Sequence, residues 1–131
     1  MFDRILVPTD GSKYAKKAET IAIAIAKKMG STIIGLHVID ENLGISFETS
    51  EDEANEILDL FGNKVEDESI NYEKLILFAN PAYDMKIISK KSKADLMVIA
   101  AQGSSVSKNY LIGSVADNAL KSVQIPVLLV K

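Results

Sequence analysis

Apolar residues are spaced along the chain in two alternating ways: short runs that are apolar on both faces, and longer stretches in which they return every three or four positions. Arg4-Ile5-Leu6-Val7-Pro8 is the first short run, closed by the turn formers Pro8-Thr9-Asp10-Gly11-Ser12. From Lys13 to Met29, Tyr14, Ala18, Ile21, Ala22, Ile25 and Met29 form a helical stripe opposite lysines, and Gly30 supplies a stop. Thr32–Ile39 reads as a strand covered on both faces. After the turn formers from Asp40 to Ser50, Ser50 and Glu53 have the spacing of a capping box, which predicts a helix from Ser50 to about Glu68 with Ile57, Leu58, Phe61 and Val65 inward. Tyr72–Phe78 is a third strand. Asn80-Pro81 predicts the cap and first position of a helix to about Lys91, with Tyr83, Met85 and Ile88 on its core side. Leu96–Ala101 is a fourth strand. Gly113-Ser114, with Asp117 three residues after the serine, opens a fourth helix, and Pro126 precedes a last strand, Val127–Val130.

Five apolar strands alternating with four helices predict an α/β fold: one domain over residues 1–131 with an open, mostly parallel sheet, since parallel neighbours need crossovers of this length. In such sheets ligands gather beyond the carboxyl ends of the strands, where the strand order reverses. The loops after strands one and four therefore draw attention.

Composition narrows the chemistry. With 47% hydrophobic and 25% charged residues in 131, the chain can bury a core without staples, and zero cysteines exclude disulfides, thiolate metal sites and a thiol nucleophile. A net charge of −3 argues against a polyanion-binding surface, so nucleic acid is not an expected partner. No apolar run approaches the ~20 residues of a membrane span, and the N-terminal residues enter a strand pattern directly, so a cytoplasmic protein with no membrane partner is expected. The acidic residues between Asp40 and Glu68 lack the spacing of a calcium loop and read as a solvated face.

In the first loop, Asp10 suits either a ribose hydroxyl or hydrated metal, or simply the N-cap of the first helix. In the second, Gly103 and Gly113 permit close approach of backbone to a ligand or a positive φ, Ser114 and the amides after it suit phosphate, and Lys108 lies between. Turn glycines, an N-cap serine and an exposed lysine account for the same residues without a ligand. The pattern is neither a Walker loop nor a Gly-x-Gly-x-x-Gly fingerprint. His37, the sole histidine, lies within a strand and reads as packed and hydrogen-bonded.

Val-Pro-Thr-Asp-Gly-Ser ending the first strand, Leu36-His37-Val38, Asn80-Pro81, and Gly103-x9-Gly113-Ser114-Val115 followed by Pro126–Val130 resemble a single-domain universal stress protein across essentially the whole chain. The nucleotide motif of that family's ATP-binding branch, Gly-x2-Gly-x9-Gly-Ser/Thr, falls on Ala100, Gly103, Gly113 and Ser114, with alanine in place of the first glycine. The resemblance implies a Rossmann-like sheet of the adenine nucleotide alpha hydrolase type, order 3-2-1-4-5. It also implies ATP or another adenine nucleotide as ligand, with Mg²⁺ carried by the phosphates. Pro8, Thr9 and Asp10 would line the adenosine side, Val38 would meet adenine through its main chain, the Ala100 position would lie beside the ribose, and Gly103, Gly113, Ser114 and Val115 would hold phosphate. The implied role is a stress-response sensor or regulator, homodimeric through the edge strand Val127–Val130; the rival roles are a slow or partner-stimulated ATPase and a dimeric interaction protein that has lost its nucleotide.

Overall fold

The computed structural model describes residues 1–41, 47–103 and 112–131. Its elements are β1 (Arg4–Pro8), α1 (Lys13–Met29), β2 (Thr32–Asp40), α2 (Phe47–Asp67), β3 (Tyr72–Ala79), α3 (Met85–Ser92), β4 (Leu96–Ala100), α4 (Ser114–Ser122) and β5 (Val127–Val130). All neighbouring strands pair in parallel in the order β3-β2-β1-β4-β5. The order reverses at β1, whose successor β2 lies on one side and β4 on the other. The loops leaving β1 and β4 diverge there and open a crevice.

Alternation along the strands divides the core. Ile5, Val7, Ile33, Leu96, Val98 and Ala100 face α1 and α2, where they meet Ala18, Ala22, Ala26, Phe61 and Val65. Leu6, Ile34, Leu36, Met97 and Ile99 face the opposite layer, against Met85, Ile88, Ala116 and Ala119 of α3 and α4. Both faces of the central strands are thus covered, as their unbroken apolar runs require.

α1 keeps its expected limits, and of its expected stripe Ala18 and Ala22 are buried and Tyr14 and Ile25 pack against the core, while the face is centred further toward the alanines. Its buried positions are Ala15, Ala18, Glu19, Ala22 and Ala26, whereas Ile21 and Met29 are exposed. Small residues let the helix lie close to the sheet, a gain the larger side chains could not match. The Ser12 hydroxyl accepts from the Ala15 amide at 3.2 Å, and Gly30 ends the helix at φ 72°.

Other helix starts differ from the sequence reading. α2 begins at Phe47, so Ser50 and Glu53 lie within the helix rather than forming a capping box at its start. Asn80-Pro81 starts a turn, not a helix: Asn80 Oδ1 accepts from the Ala82 amide at 3.0 Å, and Asp84 Oδ2 accepts from the Asn80 amide at 2.8 Å. α3 follows only at Met85, which leaves Tyr83 in the turn and exposed, while Met85 and Ile88 are buried as expected. α4 is capped by Gly113, so Ser114 is its first helical residue and Asp117 pairs instead with Lys121 at 3.0 Å.

Candidate functional site

Beyond the carboxyl ends of β1, β2 and β4 lies a cavity of about 550 Å³, within the range of small-molecule sites. Pro8, Thr9, Asp10, Val38, Ala100, Gly103, Gly113, Ser114 and Val115 all line it, so the sequence positions singled out from four separate segments share one cavity. α2 closes the side with Ser50, Glu53 and Ile57. A second groove of about 480 Å³ between α2 and β3 is bordered by Asp59, Glu66, Tyr72 and Lys74.

Hydrogen bonds fix the β1–α1 loop closely. The Thr9 amide donates to the Leu36 carbonyl at 2.9 Å, and His37 Nδ1 lies 2.9 Å from the Thr9 carbonyl. This is the packed, hydrogen-bonded histidine expected from sequence, although its ring also borders the cavity. The Thr9 hydroxyl donates to Glu19 Oε2 at 2.6 Å and accepts from the Gly11 amide at 3.2 Å. Asp10 is not the cap of α1, since Ser12 holds that place. Its Oδ1 accepts from the Ser12 amide at 2.9 Å and shapes the turn before the helix. Gly11 holds φ 77°, which a side chain would strain, and Ile57 of α2 packs over it.

The β4–α4 loop returns on itself: the Gly113 amide donates to the Ala101 carbonyl at 2.6 Å. Gly113 therefore offers a ligand clearance rather than its own N–H. Its φ of −74° is ordinary, so conformational freedom is not the reason for glycine there. Gly103 too has no positive φ; a Cβ at this position would stand 3.0 Å from Asp10 Oδ2. The two loops meet at that point, and glycine lets them. Lys108 lies outside the described residues.

Chemically, the cavity joins an apolar floor (Leu36, Met85, Ile99) to the N-termini of α1 and α4. First-turn amides of a helix have no intrahelical acceptor and carry the positive end of its dipole, so Ser114, Val115 and Ala116 favour an anion. Asp10, Asp40 and Glu53 add carboxylates suited to hydroxyl or amine donors, and no lysine or arginine lines the cavity among the described residues. No group of three or more metal-ligating side chains occurs among them either, so a divalent cation here would draw its ligands mainly from a bound anion and water.

Ala100 departs from the nucleotide motif, yet its methyl belongs to the core beneath α1 while the residue borders the cavity. A residue behind the site that the sequence reading did not single out is Glu19. It is charged and buried, reaching the back of the loop from α1.

Residues 1–131 match the model described as the Universal stress protein family. A universal stress protein of Methanocaldococcus jannaschii is 30% identical over 141 aligned positions, which cover 100% of this chain and 83% of the relative. The solved universal stress protein of Archaeoglobus fulgidus in complex with dAMP is 20% identical, covers 100% of this chain and 98% of its own, and superposes with a TM-score of 0.78. Another universal stress protein, solved in complex with cAMP, is 22% identical over 98% of this chain and 96% of its own, with a TM-score of 0.78.

Proposed function

The chain belongs to the universal stress protein family, and from that premise we propose that it binds an adenine nucleotide, ATP foremost, in the cavity between the β1–α1 and β4–α4 loops. The observation that carries the proposal is the convergence of all nine candidate site residues, the four motif positions among them, on one cavity at the point of strand-order reversal, beside two helix N-termini. The dAMP and cAMP complexes of the two structural neighbours support the ligand class. Pro8, Thr9 and Asp10 border the nucleoside, with the Asp10 carboxylate as acceptor for a ribose hydroxyl. Val38 meets adenine through its main chain, and Ala100 at the end of β4 lies beside the ribose. Gly103 and Gly113 give clearance, and Ser114 and Val115 direct amides at phosphate, which brings any Mg²⁺ with it.

The protein acts as a binding module in the cytoplasm, where nucleotide occupancy is the signal in a stress response. It works as a homodimer through β5, an edge strand of four apolar residues with the proline placed before it rather than within it. Among the described residues no helix is long and apolar enough to cross a membrane.

The test is to denature the purified protein, identify released nucleotides by chromatography, and titrate the stripped, refolded protein with Mg-ATP. Gly113→Val is the matched variant. The ordinary φ at this position accommodates valine, so loss of binding with retained folding reports ligand clearance. Unchanged affinity in that variant refutes the placement of the phosphates.

A further inference from the structure

Glu19 is 2% exposed, on the α1 face otherwise built from alanines. A buried carboxylate is a costly way to fill such a position, and an ion pair in its place gives little net stability over an apolar side chain. Its contacts suggest what it does instead. Oε2 accepts from the Thr9 hydroxyl at 2.6 Å, while Oε1 accepts from Lys64 Nζ at 3.3 Å. Lys64 belongs to α2, and its side chain remains half exposed. One carboxylate thus joins the β1–α1 loop to α2, and these two segments form facing walls of the cavity through Thr9 and Asp10 on one side and Ser50, Glu53 and Ile57 on the other.

The chemistry of the link fixes a direction. A carboxylate only accepts, so the Thr9 hydroxyl must donate to Glu19 and its lone pairs remain for the Gly11 amide, 3.2 Å away. Gly11 in turn lies under Ile57 of α2, where a Cβ would stand 3.1 Å from Ile57 Cγ1. Loop and helix therefore meet twice, once through charge and once through packing.

We propose that Glu19 is a positioning residue for the cavity: through Thr9 it sets the β1–α1 loop, and through Lys64 it ties that loop to α2, so that a ligand held by the loop and the placement of α2 depend on each other. The proposal rests on the nucleotide reading for its ligand but not for the link itself.

The experiment titrates wild type, Thr9→Val, Glu19→Gln, Lys64→Met and the Glu19→Gln/Lys64→Met double variant with Mg-ATP by calorimetry. Each is held well below its unfolding temperature, and amide exchange is followed at Gly11 and Ile57 without ligand. Thr9→Val is expected to weaken ATP roughly tenfold, as loss of a bond to a charged group allows. Lys64→Met is expected to weaken it about two- to fivefold, as suits a half-exposed ion pair. The double variant should be no weaker than the poorer single one, because both changes cut the same tie, and Lys64→Arg should restore binding. If Thr9→Val does not fold, the Lys64 variants carry the test, since that ammonium group reaches solvent. Wild-type affinity in both Lys64→Met and Glu19→Gln overturns the proposal. If wild type itself binds no ATP, the nucleotide reading fails and exchange decides the link: faster exchange at Gly11 and Ile57 in Lys64→Met upholds it, and unchanged exchange overturns it.

Discussion

Replacing Gly103 by alanine separates ligand contact from folding. The new methyl carbon would lie 3.0 Å from Asp10 Oδ2, where ordinary contacts of this kind begin at 3.4 Å, so the carboxylate must withdraw by a few tenths of an ångström. Asp10 is not free to do so, because its other oxygen accepts from the Ser12 amide at 2.9 Å. Weakening that bond costs about 0.5–1.5 kcal/mol, whereas the reduced freedom of the unfolded chain returns about 0.4–1 kcal/mol where the backbone tolerates alanine. Net stability should then change by less than about 1 kcal/mol. Affinity has no such offset. If Asp10 bonds a ribose hydroxyl, its displacement forfeits a charge-assisted hydrogen bond of about 1.5–3 kcal/mol, or a tenfold or greater loss. Urea unfolding and calorimetric titration with Mg-ATP measure the two quantities separately. Asp10→Ala should show a similar loss, and the double variant should add little to it. Affinity within twofold of wild type, alongside unchanged stability, would refute the contact between Asp10 and the ligand.

Gly62→Ala places a methyl group 2.6 Å from Cε2 of Tyr72, whose hydroxyl is held by the Leu58 carbonyl at 2.6 Å and whose ring is backed by Gly35; urea unfolding should show a net loss of about 1–3 kcal/mol despite alanine's helix propensity. Ala100→Gly should lower stability by roughly 1 kcal/mol, because its methyl packs in the core, and leave Mg-ATP affinity within twofold by calorimetry. If the proposed β5 homodimer forms, Leu128→Lys introduces like charges across its two-fold seam on a side chain that is 39% exposed and so perturbs the subunit little; sedimentation should then report a dimer for wild type and a monomer for the variant. Burial pushes the Asp95 carboxyl up, but hydrogen bonds from the Arg4 and Asp3 amides, 3.0 Å each, outweigh it and hold the group below the usual carboxylate range. A depressed native value stabilises the fold above the unfolded value near ~3.9 and is lost as pH falls through the native one, so urea midpoints should drop below about pH 4, less steeply in Asp95→Asn.

The strands and the loops between them were legible because their signals are local. Ser12 and Gly30 bound α1 through a hydroxyl cap and a left-handed residue, each readable from a few neighbours. The misplaced start of α2 has a local cause: Ser50 with Glu53 has capping spacing, yet spacing does not reveal that the chain is already helical from Phe47, whereas α4 begins at Gly113-Ser114 as read. Asn80-Pro81 likewise suits a turn and a cap equally, and the bond from its amide to Asp84 decided for the turn. Nor could periodicity place the centre of the buried face of α1, which lies on Ala15, Ala18, Ala22 and Ala26 with Tyr14 and Ile25 at its margin, while Ile21 and Met29 fall outside it. Glu19 could have been found: it follows Ala15 by four positions and precedes Ala22 by three, which puts it on the alanine stripe. Its partners Thr9 and Lys64, ten and 45 residues away, could not.

The most direct test of nucleotide binding in the cavity is a backbone amide NMR titration of the stripped wild-type protein with Mg-ATP. The account predicts saturable shifts at Thr9 to Ser12, at Val38 and at Gly113 to Ala116, with β3 at Lys74, on the far side of the groove between α2 and β3, unmoved. Shifts confined to that groove, or no saturable shifts at all, would contradict it.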